Sequence, residues 1–279
     1  MQTQDQLSIA ADEYHSLPGV SNSKLSVLID DPREYHYRFL SGEYVEKPQE
    51  YFDFGSAVHE VALLGDGSRI AVPPDCVLSS SGSRSGKAWY AWKAENEGKL
   101  ILKQTEFFSV MQCVHAMRSH PIAGPLLESI GYTERMYQYD DAGHGLTVRC
   151  RPDKLCQWNN KSVVLDIKTT ANTTAANFVR SVADFGYDRQ EYVYRKVLAN
   201  NDVRVDAFVF IAVKKTAPYT VDCYTIREDW IASAGEVVER ALADLARRLR
   251  DNDWNAVTHN LVVELSPPNW LKYRGEYEV

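Results

Sequence analysis

The sequence predicts an α/β (α+β) fold in which helices flank a β-sheet. Two patterns predict it. In the middle of the chain, segments at about 132–139, 144–158 and 161–168 are rich in strand-forming residues and read as a meander of three strands. Before and after them, apolar residues recur at helical spacing. The 279 residues are enough for a sizeable core, either as one elaborated domain or as two.

The N-terminal half is predicted to be mainly helical. Residues 1–13 are polar, and we expect them to be flexible. Ser21 or Ser23 can cap a first helix, and Pro32 can open a second one. Further helical patterns cover about 52–64, 85–97, 104–118 and 121–130.

Helices and strands alternate after the predicted meander. Thr173 or Thr174 can cap a helix that runs to Val182. The remaining predicted elements are a helix at 187–199, strands at 206–213 and 219–226, and a long helix at 228–250. Arginines near the end of that last helix suit its C-terminus electrostatically, and we interpret them as solvated.

The stretch with the clearest chemistry is 149–170, which reads RCRPDKLCQWNNKSVVLDIKTT. Asp166 and Lys168 are two apart on a predicted buried strand, so their side chains leave the same face. Pro152 indicates a bulge or a sheet edge in the strand before it. An antiparallel hairpin would bring Asp153 towards Asp166. The sequence therefore predicts two carboxylates and one ammonium on one face, at the end of a sheet.

Two facing buried carboxylates repel each other, and burial penalises both charges. A hard divalent cation such as Mg²⁺ resolves this conflict, because it prefers carboxylates, waters and phosphate oxygens as ligands. A nearby lysine can orient water and offset the charge that develops around phosphorus during hydrolysis. The pattern thus fits a phosphodiesterase core. Many surface hairpins carry Asp and Lys in the same arrangement, so an ordinary surface hairpin remains the alternative.

Two predicted helices offer further candidate residues. His59 lies among apolar neighbours at helical spacing, and it fits either a metal ligand or an ordinary core histidine. Gln190 and Tyr194 are four residues apart and therefore share one helical face. They fit either a functional pair beside the site or an amphipathic surface row.

The loop at 79–87 ends in Gly-Lys, as phosphate-binding loops do. Only three residues separate Gly82 from Gly86, and Ala88 stands where the Walker A pattern needs Ser or Thr. The sequence therefore excludes binding of a nucleoside triphosphate by this motif. An ordinary flexible connection and a cationic loop that contacts a nucleic-acid strand are the remaining interpretations.

Composition excludes several classes of protein. The formal net charge is −7, so any bound nucleic acid would need a local basic groove. The five cysteines are scattered without CxxC or zinc-type spacing, which indicates reduced thiols. The start of the chain is polar, and no apolar run approaches the roughly 18 residues of a membrane span. These features predict a cytoplasmic protein without a membrane partner.

Several motifs together resemble those of a known family. They read Arg-Cys-Arg-Pro-Asp-Lys at 149–154, Asp-Ile-Lys-Thr-Thr at 166–170 and Tyr-Asp-Arg-Gln-Glu-Tyr-Val-Tyr at 187–194. In this order they are similar to the motifs of exodeoxyribonuclease VIII, the RecE-like exonucleases of the PD-(D/E)XK nuclease superfamily. The segments 14–39 and 54–59 also match in type and order. The resemblance covers roughly residues 14–230.

The resemblance implies a restriction-endonuclease-like core, with a central mixed β-sheet flanked by helices and an N-terminal helical elaboration. It implies a single nuclease domain at 14–279, with its core at about 52–226 and a C-terminal helix and tail at 227–279. Full-length exonuclease VIII carries a long N-terminal extension that is not seen in this chain. We therefore expect the nuclease module alone.

The resemblance also implies roles for individual residues. The metal ligands would be His59, Asp153, Asp166 and, through its main-chain carbonyl, Ile167. Asp153, Asp166 and Lys168 would be catalytic, and the last two form the (D/E)XK motif. Gln190 and Tyr194 would support the active site and the DNA strand. Glu134 would be an outer participant.

The expected cofactor is Mg²⁺, for which Mn²⁺ can substitute. Related nucleases with an iron–sulfur cluster place a cysteine where Asp31 stands here, and three more cysteines near the C-terminus. This chain has only Cys223 in that region. We therefore expect no iron–sulfur cluster.

The expected function is that of a metal-dependent exonuclease on the ends of linear double-stranded DNA. By resemblance it would digest 5′ to 3′, release 5′-mononucleotides and leave 3′ overhangs for recombination by strand annealing. Its expected partners are DNA ends, a single-strand annealing protein and further copies of itself in a ring-shaped homo-oligomer. The alternatives are an endonuclease or flap-type nuclease of the same superfamily, and a non-catalytic module that binds DNA ends.

Overall fold

The computed structural model describes residues 14, 17–45, 54–65, 67–256 and 261–266. The predicted flexible segment 1–13 and the end of the predicted tail lie outside the described residues. In the described part of the chain, no helix has both the length and the apolar character that crossing a bilayer requires.

The helices and strands follow the predicted order closely. The helices are α1 (Asn22–Asp30), α2 (Pro32–Phe39), α3 (Phe54–His59), α4 (Lys87–Glu95), α5 (Gln104–Ser119), α6 (Ala123–Glu128), α7 (Ala175–Phe185), α8 (Tyr187–Ala199) and α9 (Glu228–Asp251). A π-helical turn, Glu60–Leu64, continues α3, and a 3₁₀ turn covers Asp75–Val77. The strands are β1 (Ile70–Ala71), β2 (Leu100–Ile101), β3 (Gly131–Thr133), β4 (Tyr137–Asp141), β5 (Leu146–Cys150), β6 (Lys154–Trp158), β7 (Lys161–Thr170), β8 (Ala207–Lys214) and β9 (Val221–Tyr224).

A mixed five-stranded sheet forms the centre, with the strand order β3–β6–β7–β8–β9. Strands β7 and β8 are parallel, and the other neighbours in this sheet are antiparallel. Parallel neighbours need a long crossover, which α7 and α8 provide between β7 and β8. The predicted central mixed sheet is confirmed.

Helices cover both faces of this sheet, as predicted. On one face, a core cluster joins the sheet to α1, α2, α7, α8, α9 and the β4–β5 hairpin. On the other face, a second cluster joins it to α3, α5 and α6. Residues of β7 alternate between the two clusters: Val164 belongs to the first, and Leu165 and Ile167 belong to the second. The sheet is therefore buried between two helical layers.

The predicted meander of three strands is confirmed in its pairing, but two of its strands are interrupted. The strand predicted at 132–139 is two strands that separate near Glu134, whose φ is +49°. The strand predicted at 144–158 is broken at Pro152, which has no N–H to give to a ladder. The antiparallel pairing keeps one register on both sides of the break, with Thr133 opposite Lys154 and Tyr137 opposite Cys150. Within the break, the N–H of Glu134 donates to the carbonyl oxygen of Asp153 at 3.0 Å. The break leaves Asp153 directly before β6.

The late start of β6 leaves part of β7 without its antiparallel neighbour. The ladder between them begins with Lys154 opposite Leu165, whereas β7 runs on to Thr170. Main-chain groups of Ile167 on that side therefore need partners other than a strand, because buried N–H and C=O groups are almost always bonded. Side chains supply these partners.

Two helix ends were interpreted from the sequence with different success. The Ser21 hydroxyl accepts the main-chain N–H of Lys24 at 3.4 Å and caps α1, as expected. The end of α9 is not simply solvated, because Arg248 is buried. Its guanidinium donates to the carbonyl oxygens of Asp253 and Asn255 and thereby holds the chain that follows the helix.

Candidate active site

Asp166 and Lys168 leave the same face of β7, as the two-residue period of a strand requires. Lys168 Nζ lies 2.7 Å from Asp166 Oδ2, and the Asp166 side chain is only 3% exposed. Burial lowers the pKa of Lys168, but the carboxylates of Asp166 and Asp153 outweigh it and raise that pKa above its ordinary value. Lys168 therefore stays protonated at neutral pH.

Gln190 on α8 holds both of these charges in place. Its Nε2 donates to Asp166 Oδ1 at 2.6 Å, and its Oε1 accepts from Lys168 Nζ at 2.9 Å. A side-chain amide can do both because it carries a donor and an acceptor. Gln190 is buried, so the alternative of a surface row is wrong for this residue.

Asp153 takes the place of the missing strand beside β7. Its Oδ2 accepts the main-chain N–H of Ile167 at 2.7 Å. Burial and the neighbouring charge of Asp166 raise the pKa of Asp153 to about 6. Both carboxylates are interior groups on one side of the sheet end, so the alternative of an ordinary surface hairpin is wrong.

His59 reaches the same atoms from the other helical layer. It ends α3, whose small residue Ala57 is fully buried and allows a close approach to β7. His59 Nε2 donates to the carbonyl oxygen of Ile167 at 2.9 Å, and its Nδ1 lies 3.5 Å from Asp153 Oδ1. His59 thus lies in the site, and the interpretation as an ordinary core histidine is wrong.

Tyr194 and Glu134 both contact Arg151, which lies at the break between β5 and β6. The Tyr194 hydroxyl donates to the carbonyl oxygen of Arg151 at 3.3 Å. The guanidinium of Arg151 lies 3.1 Å from Glu134 Oε1. Burial, followed by the nearby Tyr14 and Asp166, raises the pKa of Tyr194 well above its ordinary value, so it remains a hydroxyl donor. These contacts fix the segment that carries Asp153.

Two aromatic residues of the site were not predicted from the sequence. Lys168 Nζ lies 4.4 Å from the centroid of the Tyr187 ring, a cation–π contact. Arg151 lies 5.6 Å from the ring centroid of Tyr14. Tyr187 could have been found, because it precedes Gln190 by three residues and shares its helical face. Tyr14 has no such local signal, since its partner lies far along the chain.

These groups open onto one cleft of about 470 Å³. Elements of both helical layers contribute to it. The predicted residues that line it are His59, Glu134, Asp153, Lys168, Gln190 and Tyr194. Asp166 lies deeper, behind Lys168 and Gln190. The cleft therefore gathers residues that are more than a hundred positions apart in the sequence.

A family model described as a PDDEXK-like domain of unknown function (DUF3799) matches residues 29–258. This range is well over half of the chain and contains every predicted site residue. The chain belongs to this PDDEXK-like family. The assignment to the PD-(D/E)XK nuclease superfamily is thereby confirmed, and it supports a nuclease. No curated protein matches the chain.

A solved structure has a similar fold. A structure described as "Putative exonuclease" from Eubacterium rectale aligns with 98% of this chain and 98% of its own, at a TM-score of 0.58 and 14% identity. At that identity the likeness shows the fold alone. A second structure, SSO0001, aligns with 66% of this chain and 83% of its own at 14% identity, but its TM-score of 0.30 supports no argument.

PDDEXK nucleases generally use divalent metal ions, so the predicted ligand set has to be compared with the geometry. Among the residues that the structure describes, no three or more His, Cys, Asp or Glu side chains are gathered as a metal cluster. Asp166 is engaged by Lys168 and Gln190. His59 and Asp153 meet instead at the main chain of Ile167. His59 and Asp153 therefore share Ile167 as a main-chain partner, whereas Asp166 is held by two side chains that are not predicted ligands.

The donor atoms nevertheless fit a hard divalent cation. Asp166 Oδ2 is buried and makes no hydrogen bond, although the Lys168 ammonium lies 2.7 Å away. Asp153 Oδ2 accepts the N–H of Ile167, the residue after Asp166 on β7. The carbonyl oxygen of Ile167 accepts from His59. Carboxylate and carbonyl oxygens suit Mg²⁺, and an added imidazole suits Mn²⁺ as well.

Replacement of Gln190 tests how far the catalytic groups depend on their support. We expect Gln190→Leu to lower kcat for nuclease activity by roughly 10- to 100-fold, because neighbours that orient metal-site groups typically contribute that much. Asp166 and Lys168 would each lose a hydrogen bond while both charges remain. Steady-state kinetics would measure this loss of kcat. The control is Gln157→Leu on β6, since Gln157 is exposed. An equal loss in the control would contradict the supporting role.

Proposed function

We propose that this protein is a metal-dependent DNA exonuclease that degrades linear double-stranded DNA from its ends. One observation carries the proposal. A buried acid–lysine pair on β7 is held by a glutamine from α8, and a second acid and a histidine lie beside it in the same cleft. Such an arrangement suits metal-assisted hydrolysis of a phosphodiester, and it lies in a PDDEXK-like domain.

The residues that would hold the cation are His59, Asp153, Asp166 and, through its carbonyl oxygen, Ile167. When bound, Mg²⁺ or Mn²⁺ supplies a Lewis acid that polarises phosphate oxygens and makes water more acidic. Its positive charge would also relieve the repulsion that raises the pKa of Asp153. We propose no iron–sulfur cluster, since Asp31 stands where related cluster-containing nucleases place a cysteine.

Lys168 would act directly on the reacting groups. Its ammonium donates to Gln190, is ion-paired with Asp166 and lines the cleft, so a further N–H can point at a water molecule or a phosphate oxygen. There it would orient the attacking water and offset the negative charge that develops around phosphorus in the transition state. Because the pKa of Lys168 is raised, it would serve as a fixed cation rather than as a base.

The finer assignment rests on resemblance. The motifs are similar to those of RecE-like exonucleases, and a protein with the same fold is described as a "Putative exonuclease". Both support digestion of ends, and the family resemblance supports 5′ to 3′ polarity, release of 5′-mononucleotides and 3′ overhangs. We propose a cytoplasmic role in recombination by strand annealing, with an annealing protein as partner. A ring-shaped homo-oligomer would let this acidic protein stay on DNA by encircling it.

One digestion separates the proposal from its alternatives. The substrates are linear duplex labelled at either the 5′ or the 3′ end and a covalently closed circle, each with Mg²⁺ or Mn²⁺. We expect early release of the 5′ label as mononucleotide and an intact circle. Cleavage of the circle would favour an endonuclease. No cleavage, together with no metal binding in a titration, would favour a module that only binds DNA ends.

A further inference from the structure

Phe185 is an exposed aromatic residue at the mouth of the cleft. It is the last residue of α7, its side chain is 64% exposed, and it lines the cleft together with Lys168. Single exposed apolar side chains are common on proteins. The position of Phe185 is unusual, because the other cleft residues described above are polar or carry a hydroxyl group.

The Phe185 ring is the outer member of an aromatic column that is anchored in the core. It stacks on Tyr187 with ring centroids 5.8 Å apart and planes 27° apart. Tyr187 in turn stacks on the fully buried Phe210, at 5.9 Å and 23°. Gly186 lies between the two outer rings with φ +66°, a left-handed conformation that glycine adopts without strain. The column is therefore a firm support, and Phe185 is its solvent end.

The column also lies beside the proposed catalytic lysine. Lys168 Nζ is 4.4 Å from the centroid of the Tyr187 ring, and Tyr187 is the member of the column that contacts Phe185. A flat apolar group that stacks on Phe185 would thus lie next to whatever phosphate Lys168 contacts. Nucleobases are such groups, and bases of single strands commonly stack on exposed aromatic rings. Bases inside a duplex already stack on each other and offer no free face.

We propose that Phe185 stacks on an unpaired nucleobase beside the scissile phosphate, so that the site selects a strand end whose terminal nucleotide has left the duplex. This inference rests on the proposed nuclease function and names the form of substrate that the cleft accepts. Ends that fray or carry a short unpaired extension are then better substrates than firmly paired blunt ends. The selection depends on the presence of a base rather than on its identity, because every base has a face to stack.

The test pairs a change in the protein with a change in the DNA. The protein variants are Phe185→Ala and Phe185→Tyr, with Val179→Ala as the control, since Val179 is exposed on the same helix and does not line the cleft. The DNA ends either keep or lack the terminal base, through an abasic nucleotide. We expect Phe185→Ala to raise KM about ten-fold, the scale of one base–aromatic stack, with little change in kcat. Phe185→Tyr and Val179→Ala should behave as the unaltered protein.

The decisive outcome is the dependence of the two changes on each other. Removal of the base should impair the unaltered protein about as much as Phe185→Ala does, and should have little further effect on Phe185→Ala. Equal sensitivity to the abasic end in both proteins would overturn the inference. Because Phe185 is exposed, its replacement is expected to leave the thermal unfolding temperature nearly unchanged, which calorimetry can verify.

A second readout does not need catalysis. In EDTA, we expect the unaltered protein to bind DNA with an unpaired terminal base about ten-fold more tightly than DNA with an abasic nucleotide at that end, as fluorescence anisotropy of a label at the far end can measure. The Phe185→Ala variant should bind both ends about equally. The same preference in both proteins would refute the stacking. A protein that prefers the base through Phe185 but cleaves no DNA with any metal would refute the nuclease function and leave the stacking intact.

Discussion

Replacement of Lys168 by methionine is expected to reduce DNA hydrolysis by roughly 1,000-fold, the scale of removing one preorganised charge or donor from an active site. Methionine keeps most of the length and apolar stem of lysine but removes the ammonium. The substrate phosphate would lose its fixed cation, and Asp166 would lose its ion partner at 2.7 Å. Single-turnover rates with saturating protein would measure the loss, because they separate chemistry from binding and product release.

A matched lysine separates catalysis from stability in that experiment. Lys196 on α8 is also partly buried and paired, with Glu239 at 2.6 Å and Asp141 at 3.4 Å, but it does not line the cleft. We expect Lys196→Met to lower the thermal unfolding temperature and leave the hydrolysis rate of the folded protein near its original value. Comparable rate losses in both variants would show that lost ion pairing, rather than lost chemistry, explains the effect of Lys168→Met.

Replacement of Asp153 by asparagine is expected to abolish activity and, in metal-free protein, to raise stability. The pKa of Asp153 is about 6, above the ordinary 3.8, because burial and Asp166 disfavour its charge. Its ionisation therefore costs stability that is intact below pH 3.8 and is lost as pH rises through about 6. Asparagine removes this cost, which corresponds to roughly 3 kcal/mol above pH 7. Unfolding in EDTA at pH 5 and pH 8 should show a gap between the proteins that widens with pH.

The same variant reports on metal binding without any catalysis. Added Mg²⁺ or Mn²⁺ should raise the unfolding temperature of the unaltered protein, because an ion that binds only the folded state stabilises it. The Asp153→Asn variant should gain little. If instead the metal-free variant is less stable at pH 8 than the unaltered protein, the two carboxylates do not repel each other as the structure indicates.

Asp141 provides a control of opposite sign. Burial raises the pKa of Asp141, but hydrogen bonds from His144 and Tyr139 and the charge of Lys196 outweigh it and hold that pKa at about 2. This carboxylate contributes stability that is present above pH 3.8 and is lost as pH falls through about 2. We therefore expect Asp141→Asn to destabilise the protein at pH 8, where Asp153→Asn stabilises it.

The fold and the chemical groups of the site were largely predictable from local patterns. Helical periodicity, Ser21 as a cap and Pro32 as a helix start placed elements close to their observed bounds. The two-residue period of a strand placed Asp166 and Lys168 on one face. These signals act between residues that are near in sequence, where geometry allows few alternatives.

The extent of the strand break and the roles of the supporting residues were not predictable in this way. Pro152 indicated an irregularity in its own strand, but the facing strand is interrupted as well, between β3 and β4. The place of Arg248 depended on the chain after α9, whose carbonyls it binds. The cleft position of Phe185 depended on how α7 packs. In each case the deciding contact comes from tertiary packing rather than from the local sequence.

The position of the site on β7 ties it to the alignment of the sheet. Asp166 and Lys168 face one helical layer, while the side chain of Ile167 between them fills the core beneath the other layer. A shift of this strand by a single residue would turn both charged groups into that apolar core and expose a branched alkyl group in their place. A chain with this strand misaligned would therefore lack the acid–lysine pair of the cleft. The candidate active site thus exists only in molecules whose sheet has assembled in register.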